Sequence, residues 1–159
     1  VSATHSVSVA GVVVRDDGRI LAIKRRDNGQ WEPPGGVLEL GETLEEGVER
    51  EVREETGVRV AVHQLTGVYK NLALGVVALV YRCTPVSGSP APTAEATDVQ
   101  WMTRTQVAES MSPTFAIRVA DAFEESTQSR SHDGVRITDP ATGSTPRYAT
   151  DRRAGKEQP

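Results

Sequence analysis

The chain has 159 residues, with 18 Lys plus Arg against 22 Asp plus Glu, and its net charge of −4 excludes coating a nucleic acid through bulk positive charge. Cys83 is the one cysteine, which excludes an internal disulfide framework and a Cys-rich zinc site. A chain of this length buries roughly 70% of its surface on folding, and no apolar run approaches the roughly 20 residues that span a bilayer.

Val1-Ser2-Ala3-Thr4-His5 lacks the basic and apolar regions of a secretory signal, so a cytoplasmic protein with neither DNA nor membrane as partner is expected. Val7, Val9 and Val12-Val13-Val14, then Ile20-Leu21-Ala22-Ile23 after Asp16-Asp17-Gly18, predict a hairpin with Gly at the tight turn. Asp27-Asn28-Gly29-Gln30 reads as loop, and Pro33-Pro34-Gly35-Gly36 is unsuited to a helix interior or a central strand. Thr43 as N-cap, Glu46 three residues on and Gly57 at the end predict a helix over 43–56, with Leu44, Val48 and Val52 as its apolar stripe. Strands are expected at 58–65, 67–70 and 74–82, a flexible connection at 84–93 and a short strand at 99–102. Ser112-Pro113 opens a second helix whose Phe115, Val119 and Phe123 face a core.

Residues 1–126 therefore form the expected domain, and the composition changes at Thr127. The stretch 127–159 reads either as a flexible tail or as an arm ordered on a partner subunit in a homodimer, with 134–138 as an added strand. His5, His63 and His132 form no site spacing, so solvent exposure is expected for each; Cys83 reads as a buried thiol.

The chemistry concentrates in residues 36–58. On a helix, Glu51, Glu54 and Glu55 fall within an arc of about 100°. Such carboxylates repel one another unless a cation sits among them, and as hard oxygen ligands they suit Mg²⁺ or Mn²⁺. Mg²⁺ held by few carboxylates accepts phosphate oxygens, which points to a phosphate ester or anhydride as substrate. Taken alone, these acids also read as a solvated face paired to Arg50 and Arg53 at helical spacing. The whole pattern decides otherwise. It runs Gly36, five residues, Glu42, seven residues, then Arg50-Glu51-Val52-Arg53-Glu54-Glu55-Thr56-Gly57-Val58. By residue frequencies its chance occurrence is on the order of one in a billion per starting point.

This stretch resembles a complete Nudix box, the signature of the Nudix hydrolase superfamily. The lead-in Trp31-Glu32-Pro33-Pro34-Gly35-Gly36 and the segment from Glu95 to Trp101 resemble the family's flanking features, apart from Pro33 where an aliphatic residue is common. The likeness covers about residues 5–125. It implies an α+β fold, an α/β/α sandwich with a mixed curved β-sheet between helices. It also implies hydrolysis of a nucleoside diphosphate linked to another moiety, such as a (d)NTP or ADP-ribose, by metal-activated water attack at phosphorus. By resemblance, Glu51, Glu54, Glu55 and the Gly36 carbonyl hold Mg²⁺ or Mn²⁺, and Glu51, Glu54, Arg50 and Glu95 are catalytic. Arg50 would orient a ligand carboxylate, Glu42 would hold the loop–helix junction or meet water at the metal, and Glu51 or Glu95 would take the proton. Arg25, Arg26, Trp31 and Tyr69 are candidate substrate contacts, each with a bland reading as a solvated strand end or packing group. A nucleotide sensor without activity and an RNA 5′-end hydrolase are the alternatives; an intact box and the sparse basic residues of the tail weigh against them.

Overall fold

Burial on both faces dictates where the first strand sits. In the computed structural model, which describes residues 3–138, Val9 and Val13 enter one apolar cluster while Ala10, Val12 and Val14 enter another. The period of two in a strand sends alternate side chains to opposite faces, so this segment needs a covering layer on each side. The elements in chain order are β1 (Ser6–Val13), β2 (Ile20–Arg25), β3 (Trp31–Glu32), β4 (Gly35–Val37), α1 (Leu44–Thr56), β5 (Arg59–Asn71), β6 (Val76–Ser87), β7 (Ala96–Met102), α2 (Arg104–Ser110), α3 (Pro113–Asp121), β8 (Gln128–His132) and β9 (Ile137–Thr138). One sheet has the order β4-β1-β6-β5-β8-β9 and a second the order β3-β2-β7. Helix α1 covers one face through Val48 and Val52; α2 and α3 cover the other through Val107 and Val119. This is the sandwich expected, with its β layer divided into two sheets.

The helix carrying the acidic residues begins and ends where its capping signals stand. Thr43 Oγ1 accepts from Glu46 N–H, the Glu46 carboxylate accepts from Thr43 N–H, and Gly57 closes the helix in the left-handed conformation. Each wholly buried valine contributes about 1.5 kcal/mol, so Val48 and Val52 hold α1 on the sheet while its acidic end is left for other work.

The structure differs from expectation at five points. The turn at Asp17-Gly18 forms, but β1 and β2 do not make a hairpin; one bridge, Val14 to Ile20, joins them before they enter different sheets. Both edges of β1 are taken, by β4 and β6. The two strands expected at 58–65 and 67–70 are one strand with register shifts, and β6 runs on through Pro85 to Ser87 rather than yielding to a loop at Thr84. Pro85 is tolerated there because pairing with β1 stops at Cys83, leaving that side of the strand open. α2 was not anticipated, although Thr103 and Gln106 form a capping box around it. Finally, the chain does not leave the fold at Thr127: β8 pairs in parallel with residues 67–71 of β5, β9 pairs back on β8, and His132 is buried. The rest of the expected tail or intersubunit arm, with Arg147, Arg152 and Arg153, lies outside the described residues. Among the described residues no helix is long and apolar enough to cross a membrane.

Cys83 is buried as expected, and burial pushes its thiol up to about 12. From about pH 9 upward the unfolded chain releases this proton and the folded chain does not, so this thiol erodes stability progressively until the folded group titrates. An aromatic disulfide reagent at pH 8 is expected to label the native protein at the rate of global unfolding. Immediate labelling would contradict the burial.

Candidate active site

The site forms where β4 passes over the acidic end of α1. Gly35 N–H donates to Glu55 Oε1 at 2.9 Å, and a Cβ at Gly36 would stand 2.7 Å from the Glu51 carboxylate. A strand can approach that closely only without a side chain. One helical turn away, a Cβ at Gly47 would stand 2.6 Å from Leu38, so the box loop folds against a bare stretch of helix. The third acid arrives from the far side of the sequence. Glu95, just before β7, brings a carboxylate oxygen into a group with Glu51 and Glu55 in which one oxygen from each lies within 4.8 Å of the others. Glu51 and Glu55 are buried and Glu95 is exposed. Burial, with the neighbouring Glu51, Glu95 and Glu32 charges, pushes the Glu55 carboxyl up to about 8 despite the Gly35 N–H. Clustered hard oxygens that disfavour one another's charge are the donor set a divalent cation relieves.

Glu54 stands next to this group without entering it. Its side chain is half exposed, and Arg50 Nη1 donates to both Glu54 Oε2 at 3.2 Å and Glu51 Oε1 at 2.8 Å. The same guanidinium donates to Glu42 through Nε at 2.9 Å and Nη2 at 2.6 Å, and to the Val37 carbonyl at 3.2 Å. Arg50 thus fastens the loop, β4 and two helix carboxylates together. Glu42, which also accepts from Glu39 N–H, is held down to about 2 by that hydrogen bonding.

Arg26 departs from its expected place at substrate. Its backbone N–H donates to the Glu95 carbonyl, and its side chain donates to the Ala94 and Thr93 carbonyls at 3.0 Å. Thr93 Oγ1 in turn donates to the Glu55 carbonyl and accepts from Glu95 N–H, both at 3.3 Å. These bonds tie the Glu95 loop to the end of α1, a role that its place at a strand end gave no signal of. Trp31 packs half-buried against the core and bridges to Met111.

A cavity of about 280 Å³ opens beside Gly35 and Gly36. Arg25 and Tyr69 line it, as expected of substrate contacts, but both are engaged: Arg25 with Asp27 and Glu32, and the Tyr69 hydroxyl as donor to Asp121 at 2.7 Å. Glu32, Phe115, Arg118 and His132 also line it and were missed. Arg118 had a visible signal, a charge one turn from Phe115 on the apolar side of a helix; His132 had none, since its burial depends on β8 joining the sheet.

Comparison with known proteins finds relatives in both sequence and fold. The family model described as NUDIX domain matches residues 4–123. The chain is 60% identical over 134 residues to a MutT-like protein of Streptomyces ambofaciens, covering 84% of this chain and 87% of that one. It is 46% identical over 69 residues to an ADP-ribose pyrophosphatase of Methanocaldococcus jannaschii, covering 42% and 40% of the two chains. The crystal structure of a NUDIX hydrolase from Nitrosomonas europaea superposes with a TM-score of 0.72 at 20% identity over 83% of this chain and 82% of that one, a likeness of fold.

Proposed function

The chain belongs to the Nudix hydrolases, enzymes that act on the pyrophosphate bonds of nucleotides, and from that membership we propose that it is a Mg²⁺- or Mn²⁺-dependent hydrolase of a nucleoside diphosphate linked to another moiety. A (d)NTP or an ADP-ribose-like conjugate is the substrate this reading names, the latter in keeping with the similar pyrophosphatase. The convergence of Glu51, Glu55 and Glu95 beside the open cavity at Gly35 and Gly36 carries the reading. Their oxygens fit a hard divalent cation, with the Gly36 carbonyl and Glu54 completing the donors. Bound there, the cation supplies charge neutralisation for the phosphate oxygens and acidifies water. Arg50 keeps Glu51 and Glu54 aimed and neutralises part of their repulsion. Glu95 makes no ion pair among the described residues and takes the proton from the attacking water, held in place by the Arg26 and Thr93 hydrogen bonds. The cavity takes the nucleoside end.

A phosphate-release screen over (d)NTPs, ADP-ribose, nucleotide sugars and dinucleoside polyphosphates tests this. Turnover is expected on at least one of them, lost in EDTA and restored by Mg²⁺ or Mn²⁺. A flat panel in the presence of both metals would overturn the proposal in favour of a sensor.

A further inference from the structure

The cavity beside the acidic group runs across the larger sheet from β4 to β8. Gly36 of β4, Ala10 of β1, Ala78 of β6, Tyr69 of β5 and His132 of β8 each line it, one from every strand in the order in which those strands pair. Phe115 and Arg118 of α3 line it as well. β4 touches Glu51 and Glu55, so β8, four strand spacings or roughly 19 Å along the sheet, stands at the far end. With phosphates at the acids, as proposed above, the base end of a nucleotide points toward β8. That strand and β9 lie beyond residues 4–123, the part of the chain that the family model matches.

A circuit of side chains sets where β8 stands against α3. Arg130 forks onto Asp121, its Nε donating to Oδ2 at 2.8 Å and its Nη2 to Oδ1 at 2.9 Å. Asp121 Oδ2 also accepts from the Tyr69 hydroxyl at 2.7 Å. One helical turn before Asp121, the Arg118 guanidinium lies 5.0 Å from the Tyr69 ring centre, and its Nη2 donates to His132 Nε2 at 3.3 Å. Tyr69, Arg118 and His132 face the cavity, and Asp121, 2% exposed, joins them to Arg130. Backbone pairing of 128–132 with 67–71 keeps β8 on the sheet; the circuit fixes its side chains. We propose that the β8–β9 hairpin selects the ligand, as the wall on which the base end of the nucleotide rests, with His132 as the contact and Arg130 as the positioning residue. This placement rests on the nucleotide-hydrolase reading and adds to it the segment that discriminates among nucleotides.

Calorimetric titration of the intact protein in Mg²⁺ with AMP, GMP, CMP and UMP tests it without requiring turnover. Methylenediphosphonate, a pyrophosphate mimic without a nucleoside, is titrated beside them. Arg130→Lys keeps the charge next to Asp121 but loses the fork. It is expected to weaken the tightest-bound nucleotide about tenfold and to leave the diphosphonate within about twofold. His132→Ala is expected to weaken that nucleotide and to change the order of the four. Val107→Ala, which removes buried side chain from α2, lowers stability and is expected to leave nucleotide affinity unchanged, so lost stability does not account for the effect. Arg130→Met with Asp121→Asn serves if Arg130→Lys does not fold, since it leaves neither charge buried alone. Equal losses for nucleotide and diphosphonate, no loss for either, an order unaltered in His132→Ala, or a wild type that binds none of the four would each overturn the proposal. Hydrolysis separates the two claims, with KM in Arg130→Lys expected about tenfold higher and kcat within about twofold. Selective weakening in binding with no turnover of any nucleotide defeats the hydrolase reading alone, and turnover with KM unmoved in Arg130→Lys defeats this one alone.

Discussion

Glu55→Gln is expected to lower kcat by about a thousandfold, equivalent to about 4 kcal/mol of transition-state stabilisation, while the metal-free protein is expected to unfold at or above the wild-type denaturant midpoint. Both halves follow from one geometry. The Gln carbonyl oxygen can still accept from Gly35 N–H, which Glu55 Oε1 holds at 2.9 Å, so β4 keeps its seat on the helix. Without metal, the buried carboxylate is already disfavoured by desolvation and by Glu51, Glu95 and Glu32, and a neutral amide relieves that. On the proposed metal assignment, the loss of one anionic oxygen from the group of three would remove a ligand. The variant is therefore expected to show no rise in melting temperature on adding Mg²⁺, where the wild type shows one. Turnover within about tenfold of wild type would dismiss the metal assignment.

Arg50→Lys is expected to cost about a hundredfold in kcat and several degrees of melting temperature, despite conserving the charge. The guanidinium spans Glu42, Glu51, Glu54 and the Val37 carbonyl at once, at distances from 2.6 to 3.2 Å. A compact ammonium cannot hold a bidentate pair with Glu42 and still reach the helix carboxylates. The fold survives because Val48 and Val52 anchor α1 independently. Carbon-detected NMR titration supplies the local readout. Glu42, held down to about 2 by Arg50, is expected to climb toward the ordinary carboxylate value of 4.5 in the variant. An unmoved Glu42 would show that Arg50 is not what organises the loop.

These two variants bracket what the order of residues alone makes legible. The box helix is readable to its ends because its signals are local: Thr43 and Glu46 cap each other, Gly57 closes it, and the 3.6-residue period puts the three glutamates on one side. The same locality is incomplete around Glu54. Helical spacing places it with Glu51 and Glu55, yet those two are buried while Glu54 stays half exposed beside Arg50, and Glu95, 40 residues beyond Glu55, is what joins the buried pair. Spacing along a helix says which side chains share a face; it does not say which neighbour covers that face.

By itself the amino-acid sequence determined the family, the helix that carries the acids, the hard-oxygen character of the centre and the buried thiol, because each depends on residues near one another in the chain. Tertiary structure alone decided that β1 and β2 part into two sheets, that β8 returns to the edge of β5, that Arg26 braces the Glu95 loop, and that Arg118 and His132 meet as a buried pair on the cavity wall. Those outcomes depend on which strand edge finds which partner, and backbone hydrogen bonding is the same for every residue type but proline. The pairing is settled by burial summed over the whole molecule, a quantity no short window of residues contains.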